Sequence, residues 1–237
     1  MQTEWGQNWL AQKVTTRLSK ELQSKISIDH VQIGFFNKLN LKGVFIEDQK
    51  KDTLLAAGTV QVRITDWFFL KDKAVLHYIG LENAVINLSR TDSVWNYRFL
   101  QDYFDPPGPR DPKKAGIAFN LKEVRLVNVA FQQKDAWIGQ NMTGRVGSLW
   151  LDADNIGFTE REIDINRLEL ERPYFSMYNY TGNRPPVEKA VSPNDAAKAW
   201  NAQNWTAIIR NLIIEDGTFK SDRKGLTPTV AHFDPQH

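Results

Sequence analysis

One six-residue pattern recurs five times along this chain at a nearly constant spacing. Each copy begins with Leu or Ile, and its third residue is Gly, Asn, Asn, Arg or Asp in turn. The copies are residues 41–46, 81–86, 126–131, 170–175 and 214–219. Their first residues lie 40, 45, 44 and 44 positions apart, and a fixed period of this kind is typical of stacked structural units. The repeat therefore favours an array of similar units.

Each copy is predicted to continue a β-strand, because an apolar residue lies two positions before its first residue. These residues are Leu39, Ile79, Val124, Leu168 and Leu212. Before the third copy, the alternation of apolar residues shifts by one position between Leu121 and Val124, after running regularly through Phe119 and Leu121. Before the fourth copy, it shifts in the same way between Ile165 and Leu168, after Ile163 and Ile165. Since a one-residue slip turns side chains to the other face, the pattern predicts a bulge or corner there, with an amide or glycine nearby.

A weaker similarity joins residues 58–64 to residues 144–151, which begin 86 positions later. Both segments start with Gly and then alternate. Units that stack in this way keep one cross-section along the array, so their interior is a continuous apolar surface and not a pocket. The repeat thus favours a conduit, a scaffold or an extended binding surface. An ordinary β-sandwich with similar hairpins is the alternative.

Two segments have helical patterns. The first, within residues 1–24, carries apolar residues at steps of about four, which predicts an amphipathic helix. They are Trp5, Trp9, Leu10, Val14, Leu18 and Leu22. This helix either caps an open end of the sheet or lies on a membrane surface through Trp5, Trp9, Leu10 and Val14. Ser192 and Pro193, followed by alanines, predict a short second helix near residues 193–203.

The composition excludes several classes of protein. Hydrophobic residues make up 41% and charged residues 24% of the chain, so it can form a packed core and wholesale disorder is ruled out. The formal charge of +2 is too small to indicate a nucleic-acid partner. The absence of Cys excludes a disulfide framework and a thiolate metal site. No apolar run approaches the length of a membrane span.

No pattern in the sequence indicates catalysis, so we predict that the chain is not an enzyme and needs no cofactor. None of the four His residues forms a pair at metal-ligand spacing. Nucleotide-binding glycine loops and the Gly-x-Ser-x-Gly elbow are missing. Asp152 with Asp154, and Glu160 with Glu162, have the spacing of a glycosidase pair or part of a calcium loop. We interpret them as solvated turn carboxylates.

The predicted fold class is mainly β. An N-terminal amphipathic helix over residues 1–24 precedes a repetitive β-sheet region over residues 25–237, expected to be a long, curved antiparallel sheet with one short additional helix. An open, taco-like groove and a closed core would give the same alternation of side chains. The sequence leaves these two cross-sections open.

The order of these features resembles the start of AsmA-like envelope proteins, with the greatest similarity to their TamB branch. The resemblance rests on the helix over residues 9–22, the strand run over residues 26–48, the units at 81–86 and 126–131, and the Trp95-Asn96 pair. These motifs are short and degenerate, and the similarity extends over residues 5–220.

The resemblance implies a bacterial periplasmic protein that is anchored in the inner membrane by an N-terminal helix. Its long sheet would form a groove with an apolar inner face that carries phospholipid between the inner and outer membranes. Proteins of this kind are also thought to help assemble outer-membrane β-barrels together with a barrel partner. Neither the anchor nor the distal end is recognisable here, so we expect the chain to be a piece of a longer one.

If this resemblance holds, the repeated apolar face supplies the lining of the lipid groove. The candidates are Val31, Ile33, Phe35, Leu41, Phe45, Val60, Val62 and Ile64. Phospholipid acyl chains are then the expected ligand, and nucleic acid is not expected as a partner. Two alternatives remain: a factor whose sheet edges pair with the strands of barrel proteins, and a glycan-binding or adhesin-like β-sandwich.

Overall fold

A computed structural model describes residues 4–34, 38–64, 73–104, 116–157, 162–185 and 206–224. These residues form two helices and twelve strands. The helices are α1 (Glu4–Leu22) and α2 (Arg98–Phe104). The strands are β1 (Ile26–Ser27), β2 (His30–Ile33), β3 (Lys38–Glu47), β4 (Thr53–Ile64), β5 (Lys73–Arg90), β6 (Gly116–Asp135), β7 (Gln140–Gly157), β8 (Glu162–Glu171), β9 (Tyr174–Asn179), β10 (Thr206–Ile209), β11 (Leu212–Glu215) and β12 (Thr218–Arg223).

All twelve strands belong to one curved, unclosed sheet, which confirms the mainly β fold. Its order is β1-β3-β4-β5-β6-β7-β8-β10, with β2 beside β3, β9 beside β7, β11 beside β8 and β12 beside β9. The sheet is mixed and not wholly antiparallel, because β5 pairs with β6, and β8 and β9 pair with β10 to β12, in parallel. Two packed sheets, as in a sandwich, are not present among the described strands.

The spacing of the sequence repeat matches the register in which the strands pair. Leu81 of the second copy lies opposite Leu126 of the third, 45 positions later, and Leu170 lies opposite Ile214, 44 positions later. Antiparallel return strands, β4 and β7, separate the first copy from the second and the third from the fourth. The first residues of the copies, together with one residue from each return strand, therefore form one row across the sheet. That row is Leu41, Val60, Leu81, Leu126, Leu149, Leu170 and Ile214.

The third residue of every copy has a left-handed backbone. The φ angles are 61° at Gly43, 51° at Asn83, 53° at Asn128, 49° at Arg172 and 52° at Asp216. Gly, Asn and Asp reach this region at the lowest steric cost, which explains four of the five residues and leaves Arg172 without such an explanation. Each such corner shifts the alternation, so that Leu81 and Ala84 pack in one cluster although three positions separate them. A regular strand would place them on opposite faces.

The predicted bulges are confirmed at both slips. On β6, Phe119 pairs with Leu76 but Glu123 pairs with Tyr78, so three residues of β6 stand against one of β5. On β8, Asn166 is left without a pairing partner, because Arg167 pairs with Asp152 of β7 and Ile165 pairs with Ala153. The extra residues restore the apolar side chains to one face, which is what the interrupted alternation required.

The weaker similarity in the sequence needs a new alignment. Gly58 lies between the corners at Gly43 and Asn83, and Gly147 lies between those at Asn128 and Arg172. The equivalent of Gly58 is therefore Gly147, 89 positions later, and not Gly144. A Cβ added at Gly147 would lie 2.8 Å from Nη2 of Arg172 and 3.1 Å from the carbonyl oxygen of Glu171, whereas a Cβ added at Gly58 would make only ordinary contacts of 3.4 Å. Steric restriction is therefore present at Gly147 alone of the two.

The two helices lie at one end of the sheet. Helix α1 packs against β1, β2 and α2, and the side-chain amide of Gln49 donates a 2.9 Å hydrogen bond to the carbonyl of Leu22 at its end. The second helix, α2, begins at Arg98 and was not predicted; the segment 193–203, where we expected it, lies outside the described residues. Neither helix is long and apolar enough to span a membrane.

A polar network joins the ends of the parallel pair β5 and β6. The guanidinium of Arg90 donates two hydrogen bonds, of 2.8 and 2.7 Å, to the carboxylate of Asp135, which is 1% exposed. The indole of Trp95 lies 4.5 Å from the same guanidinium. Nearby, the side-chain amide of Asn96 donates to the buried carboxylate of Asp48. These contacts fix this rim of the sheet.

Candidate binding surface

The apolar side chains of the sheet gather on one side, in two adjoining clusters that we call the inner face. The buried members are Val44, Ala57, Ala84 and Val129 in one cluster, and Leu76, Leu121, Ala153, Ile156 and Ile165 in the other. The described strands form a single curved layer, and the inner face is one side of it. Four residues of the row described above belong to the first cluster: Leu41, Val60, Leu81 and Leu126. A second row belongs to the second cluster, and its members are Val62, Ile79, Val124, Leu151 and Leu168.

Burial on the inner face is graded. The small residues beside the corners are nearly inaccessible, with Ala84 2% and Ala57 5% exposed. The larger side chains of the same face, such as Leu81 and Leu126, are only half-buried. Among the described residues no helix packs on β3 to β9, because α1 contacts β1 and β2 and α2 contacts α1. Within the described part of the chain, the middle of the inner face therefore presents apolar surface.

Most of the predicted lining residues share this face. Leu41 and Val60 pack in the first cluster and Val62 in the second. Val31 and Ile33 pair with Leu41 and Leu39, so they also point to the inner side. Val31 is 4% exposed and lies in β2, the strand against which α1 packs, so it belongs to the closed end of the sheet.

Phe45 was predicted to lie on the same face as Leu41, and this prediction is wrong. Val44 and Ile46 point to the inner face instead, in the first cluster. The ring of Phe45 lies on the outer side, 5.4 Å from Nζ of the exposed Lys25. The left-handed backbone at Gly43 shifts the alternation by one residue, whereas the prediction assumed an uninterrupted strand.

Several predicted residues cannot be compared. Phe35 lies outside the described residues, and so does the side chain of Ile64. The side chains of the proposed membrane-surface residues also lie outside the described part of α1. They are Trp5, Trp9, Leu10 and Val14.

Two buried residues of the inner face were missed by the prediction, although the sequence contains their signal. Ala84 and Val129 directly follow Asn83 and Asn128, the third residues of their copies. Asn at a fixed place in a repeated strand indicates a left-handed corner. Counting the alternation afresh after each corner would have found these positions.

The outer face carries charged and aromatic side chains. The guanidinium groups of Arg125 and Arg167 lie 5.9 and 5.5 Å from the ring centre of Trp150. Arg63 lies 5.4 Å from the ring of Tyr78 in the same way, and burial raises the pKa of this tyrosine. The two faces therefore differ in chemistry, with cations and rings outside and aliphatic side chains inside.

The carboxylate pair Asp152 and Asp154 lies within β7 and not in a turn, which corrects the prediction. Both accept hydrogen bonds from the side-chain amide of Asn166, at 3.4 and 2.9 Å, next to the bulge of β8. Glu160 lies outside the described residues. Within the part of the chain that is described, no group of three His, Cys, Asp or Glu residues could hold a metal ion.

Comparison with protein-family models and with curated proteins found no match for this sequence. The residues of the sheet are therefore the basis for a function. The feature that they share is the continuous apolar lining of the curve. It offers contacts to an extended apolar ligand.

Proposed function

We propose that the inner face binds acyl chains and conducts phospholipid between the inner and outer membranes. In this proposal the protein acts in the periplasm, is held to the inner membrane through an N-terminal anchor and needs no cofactor. The observation that carries the proposal is the row of half-buried apolar side chains that crosses the sheet from Leu41 to Leu170 without a covering element among the described residues. The similarity to AsmA-like proteins favours the same function.

The physical reason is the cost of apolar surface in water. Each CH₂ of an acyl chain contributes about 0.8 kcal/mol when it leaves water for an apolar surface. A discrete pocket would hold the chain in one place, whereas rows of Leu, Val and Ile offer the same contact at every strand. Because the rows cross the strands, an acyl chain lying along them could move from one unit to the next.

A second function is favoured by β10 to β12, which are the last strands of the sheet among the described residues and in which Leu212, Ile214 and Phe219 are more than half exposed. In this alternative the chain assists the assembly of outer-membrane β-barrel proteins together with a barrel partner. Its sheet edge would pair with strands of the client. The first function uses the face of the sheet, and the second uses the backbone of its last strands.

Cysteine scanning tests the lipid proposal, since the chain contains no Cys. Leu126 on the inner face and Val127, which is 48% exposed on the outer face, are neighbours with opposite orientation. Each is replaced by Cys and labelled with a photoreactive group, and the protein is incubated with phospholipid vesicles. We expect crosslinked phospholipid by mass spectrometry from Leu126→Cys, at least ten times more than from Val127→Cys.

Charge substitutions at the same two positions provide the second readout. Leu126→Glu should reduce binding of a fluorescent fatty acid at least tenfold, while Val127→Glu should leave it unchanged. Circular dichroism establishes that both variants are folded. Equal crosslinking from the two faces, or no lipid captured at either position, would overturn the proposal.

A further inference from the structure

The inner face becomes polar at one rim of the sheet. Its last row there consists of residues that pair across neighbouring strands, and every one of them is polar. They are Arg90 of β5, Asp135 of β6, Gln140 of β7, Asn179 of β9 and Arg223 of β12, and we call them the polar row. This row differs in chemistry from the rows of Leu, Val and Ile farther along the same strands.

The polar row lies on the same side of the sheet as the apolar clusters. Ala84 belongs to the first cluster, and the pairing of β5 with β6 shows no register shift from Ala84 to Arg90. Regular alternation therefore puts both side chains on the inner side. The side-chain amide of Gln140 donates to Sδ of Met177 at 3.4 Å and to Oδ1 of Asn179 at 3.1 Å, so the members of the row on β7 and β9 also share one side.

Polarity decreases along the strands from this row. The adjoining row is mixed and contains Leu88, Gln133, Met142, Met177 and Ser221. The row after it, which we call the aromatic row, has no polar side chain and consists of Ile86, Phe131, Gly144, Phe175 and Phe219. It lies four residues from the polar row, or about 13 Å at 3.3 Å per residue. The inner face is therefore amphipathic in the direction of the strands.

One part of the polar row is satisfied within the protein. The guanidinium of Arg90 and the carboxylate of Asp135 are hydrogen-bonded to each other, and Asp135 is 1% exposed. Because the two charges neutralise each other, this pair adds no net charge to the row. The pair is closed to a ligand.

The other part of the row keeps groups that a ligand can use. Oε1 of Gln140 and Nδ2 of Asn179 have no hydrogen-bond partner among the described residues, and both side chains are half-buried. Arg223 lies four residues beyond Phe219 on β12, on the same side by alternation. Its side chain is exposed and has no acidic partner within the described ranges. Amide groups beside one uncompensated guanidinium suit a phosphate.

We propose that a phospholipid bound to the inner face places its phosphate at Asn179 and Arg223 and its acyl chains on the apolar rows beyond them. The inference rests on the lipid binding proposed above and adds the position of the headgroup. The hydrocarbon of one bilayer leaflet extends about 15 Å from the headgroups, so acyl chains that start at the polar row reach the aromatic row. A purely apolar ligand would gain nothing from the polar row.

Removal of the phosphate contacts should weaken the binding of phospholipid alone. Asn179→Leu combined with Arg223→Gln should reduce binding of a fluorescent phosphatidylcholine at least tenfold. A diacylglycerol with the same fluorescent chain should bind as it does to the wild-type protein. The matched control is Asn141→Leu with Lys134→Gln, an amide and a cation that pair across β6 and β7 on the outer face, and it should change neither affinity. Circular dichroism establishes that both variants are folded.

Nitroxide quenching locates the two ends of the lipid. Ser221→Cys, next to the polar row, and Leu126→Cys, in the first cluster, are each labelled with a fluorophore, since the chain has no other Cys. The protein is loaded from phosphatidylcholine vesicles and separated from them by gel filtration. A nitroxide on the headgroup should quench the label at residue 221 at least threefold more than a nitroxide at the end of the acyl chain. The order should be reversed at residue 126.

The outcomes separate this inference from the lipid proposal. Unchanged phosphatidylcholine binding in the Asn179 and Arg223 variant, equal weakening of both ligands, or the same order of quenching at residues 221 and 126 would overturn the headgroup position alone. If the wild-type protein retains neither phosphatidylcholine nor diacylglycerol, the lipid proposal fails and this inference fails with it.

Discussion

The side-chain amide of Asn128 donates a 2.7 Å hydrogen bond to the side-chain oxygen of Asn83. The two residues hold the left-handed corners of consecutive copies and lie 45 positions apart in sequence. Because β5 and β6 are parallel and in register, the corners stand side by side. The hydrogen bond therefore links the left-handed corner of β5 to that of β6.

Two substitutions of Asn128 should distinguish the stability contributed by the left-handed backbone from that contributed by the hydrogen bond. Asn128→Val puts a β-branched residue at a φ of 53°, which costs roughly 1–2 kcal/mol, and also removes the bond to Asn83. Asn128→Gly keeps the backbone free and removes only the bond, which costs about 0.5–1.5 kcal/mol. Urea denaturation should show that Val destabilises more than Gly. Equal losses would show that the corner geometry is unimportant.

Gly43→Ala should destabilise the first corner. The φ of 61° costs roughly 1–2 kcal/mol for an alanine, and the new Cβ would lie 1.9 Å from Oδ2 of Asp29 unless that side chain moves. Gly144→Ala is the matched control, since its Cβ would make an ordinary 3.7 Å contact with Phe131. Thermal denaturation should show a lower midpoint for the first variant and no loss for the second.

Asp135→Asn should destabilise the protein, because it breaks a buried ion pair with Arg90. Burial raises the pKa of Asp135, but the hydrogen bonds from Arg90 and from the amide of Ile138 outweigh it and hold the pKa below its ordinary value. Its stabilising effect is therefore complete above the unfolded pKa of about 3.9 and is lost as the pH falls through the lower folded value. Breaking a buried pair typically costs about 3–5 kcal/mol, so we expect a large loss at pH 7 by urea denaturation.

The acid limb of the pH profile provides the check on that pair. The Asn variant should lose less stability than the wild-type protein between neutral and strongly acidic pH. Asp102→Asn removes an exposed pair with Arg98 on α2 and should change stability by less than about 1 kcal/mol. An Asp135 variant with an unchanged acid profile would contradict the assignment.

Trp150 should tolerate Phe but not Ala. Its ring lies between Arg125 and Arg167, and each cation–π contact at an exposed site contributes about 0.5–1 kcal/mol. Its Nε1 is buried without a hydrogen-bond partner among the described residues, so Phe keeps a ring there and removes an unsatisfied donor. Guanidinium denaturation of the two variants tests this expectation, which fails if Phe destabilises as much as Ala.

Arg210→Gln should loosen β10. The hydrogen bond from Arg210 lowers the pKa of Asp164 on the neighbouring strand β8, so the pair is complete above the ordinary carboxyl pKa and weakens as the pH falls through the lowered one. Hydrogen exchange at pH 7 should quicken over residues 206–210 and stay unchanged over residues 140–150. Lys220→Gln is the control, since Lys220 pairs with Asp222 of the same strand and should not affect β10.

The direction of the strands could not be predicted from the repeat. The offset of 40 residues between Leu41 and Leu81 contains a hairpin and the return strand β4, whereas the offset of 45 between Leu81 and Leu126 contains a crossover. Both leave similar spacing in the sequence. Only the pairing distinguishes an antiparallel neighbour from a parallel one.

The face of a residue was predictable wherever the alternation continues without a corner. Leu41, Val60 and Val62 were placed correctly because uninterrupted alternation holds over those positions. Phe45 was misplaced because it lies two residues beyond Gly43, where the left-handed backbone reverses the count. The helix at Arg98 gave no apolar period long enough to be recognised, since it has only seven residues.

The repeat relates the width of the sheet to the length of the chain. Eight strand positions lie across the sheet from β1 to β10, and at about 4.8 Å between neighbours they extend over about 34 Å. The hydrocarbon core of a bilayer is about 30 Å thick. Three strand positions, or about 14 Å, are added every 89 residues, the offset between Gly58 and Gly147. A chain built on this plan therefore measures distance by counting residues, and its reach can be lengthened without altering its cross-section.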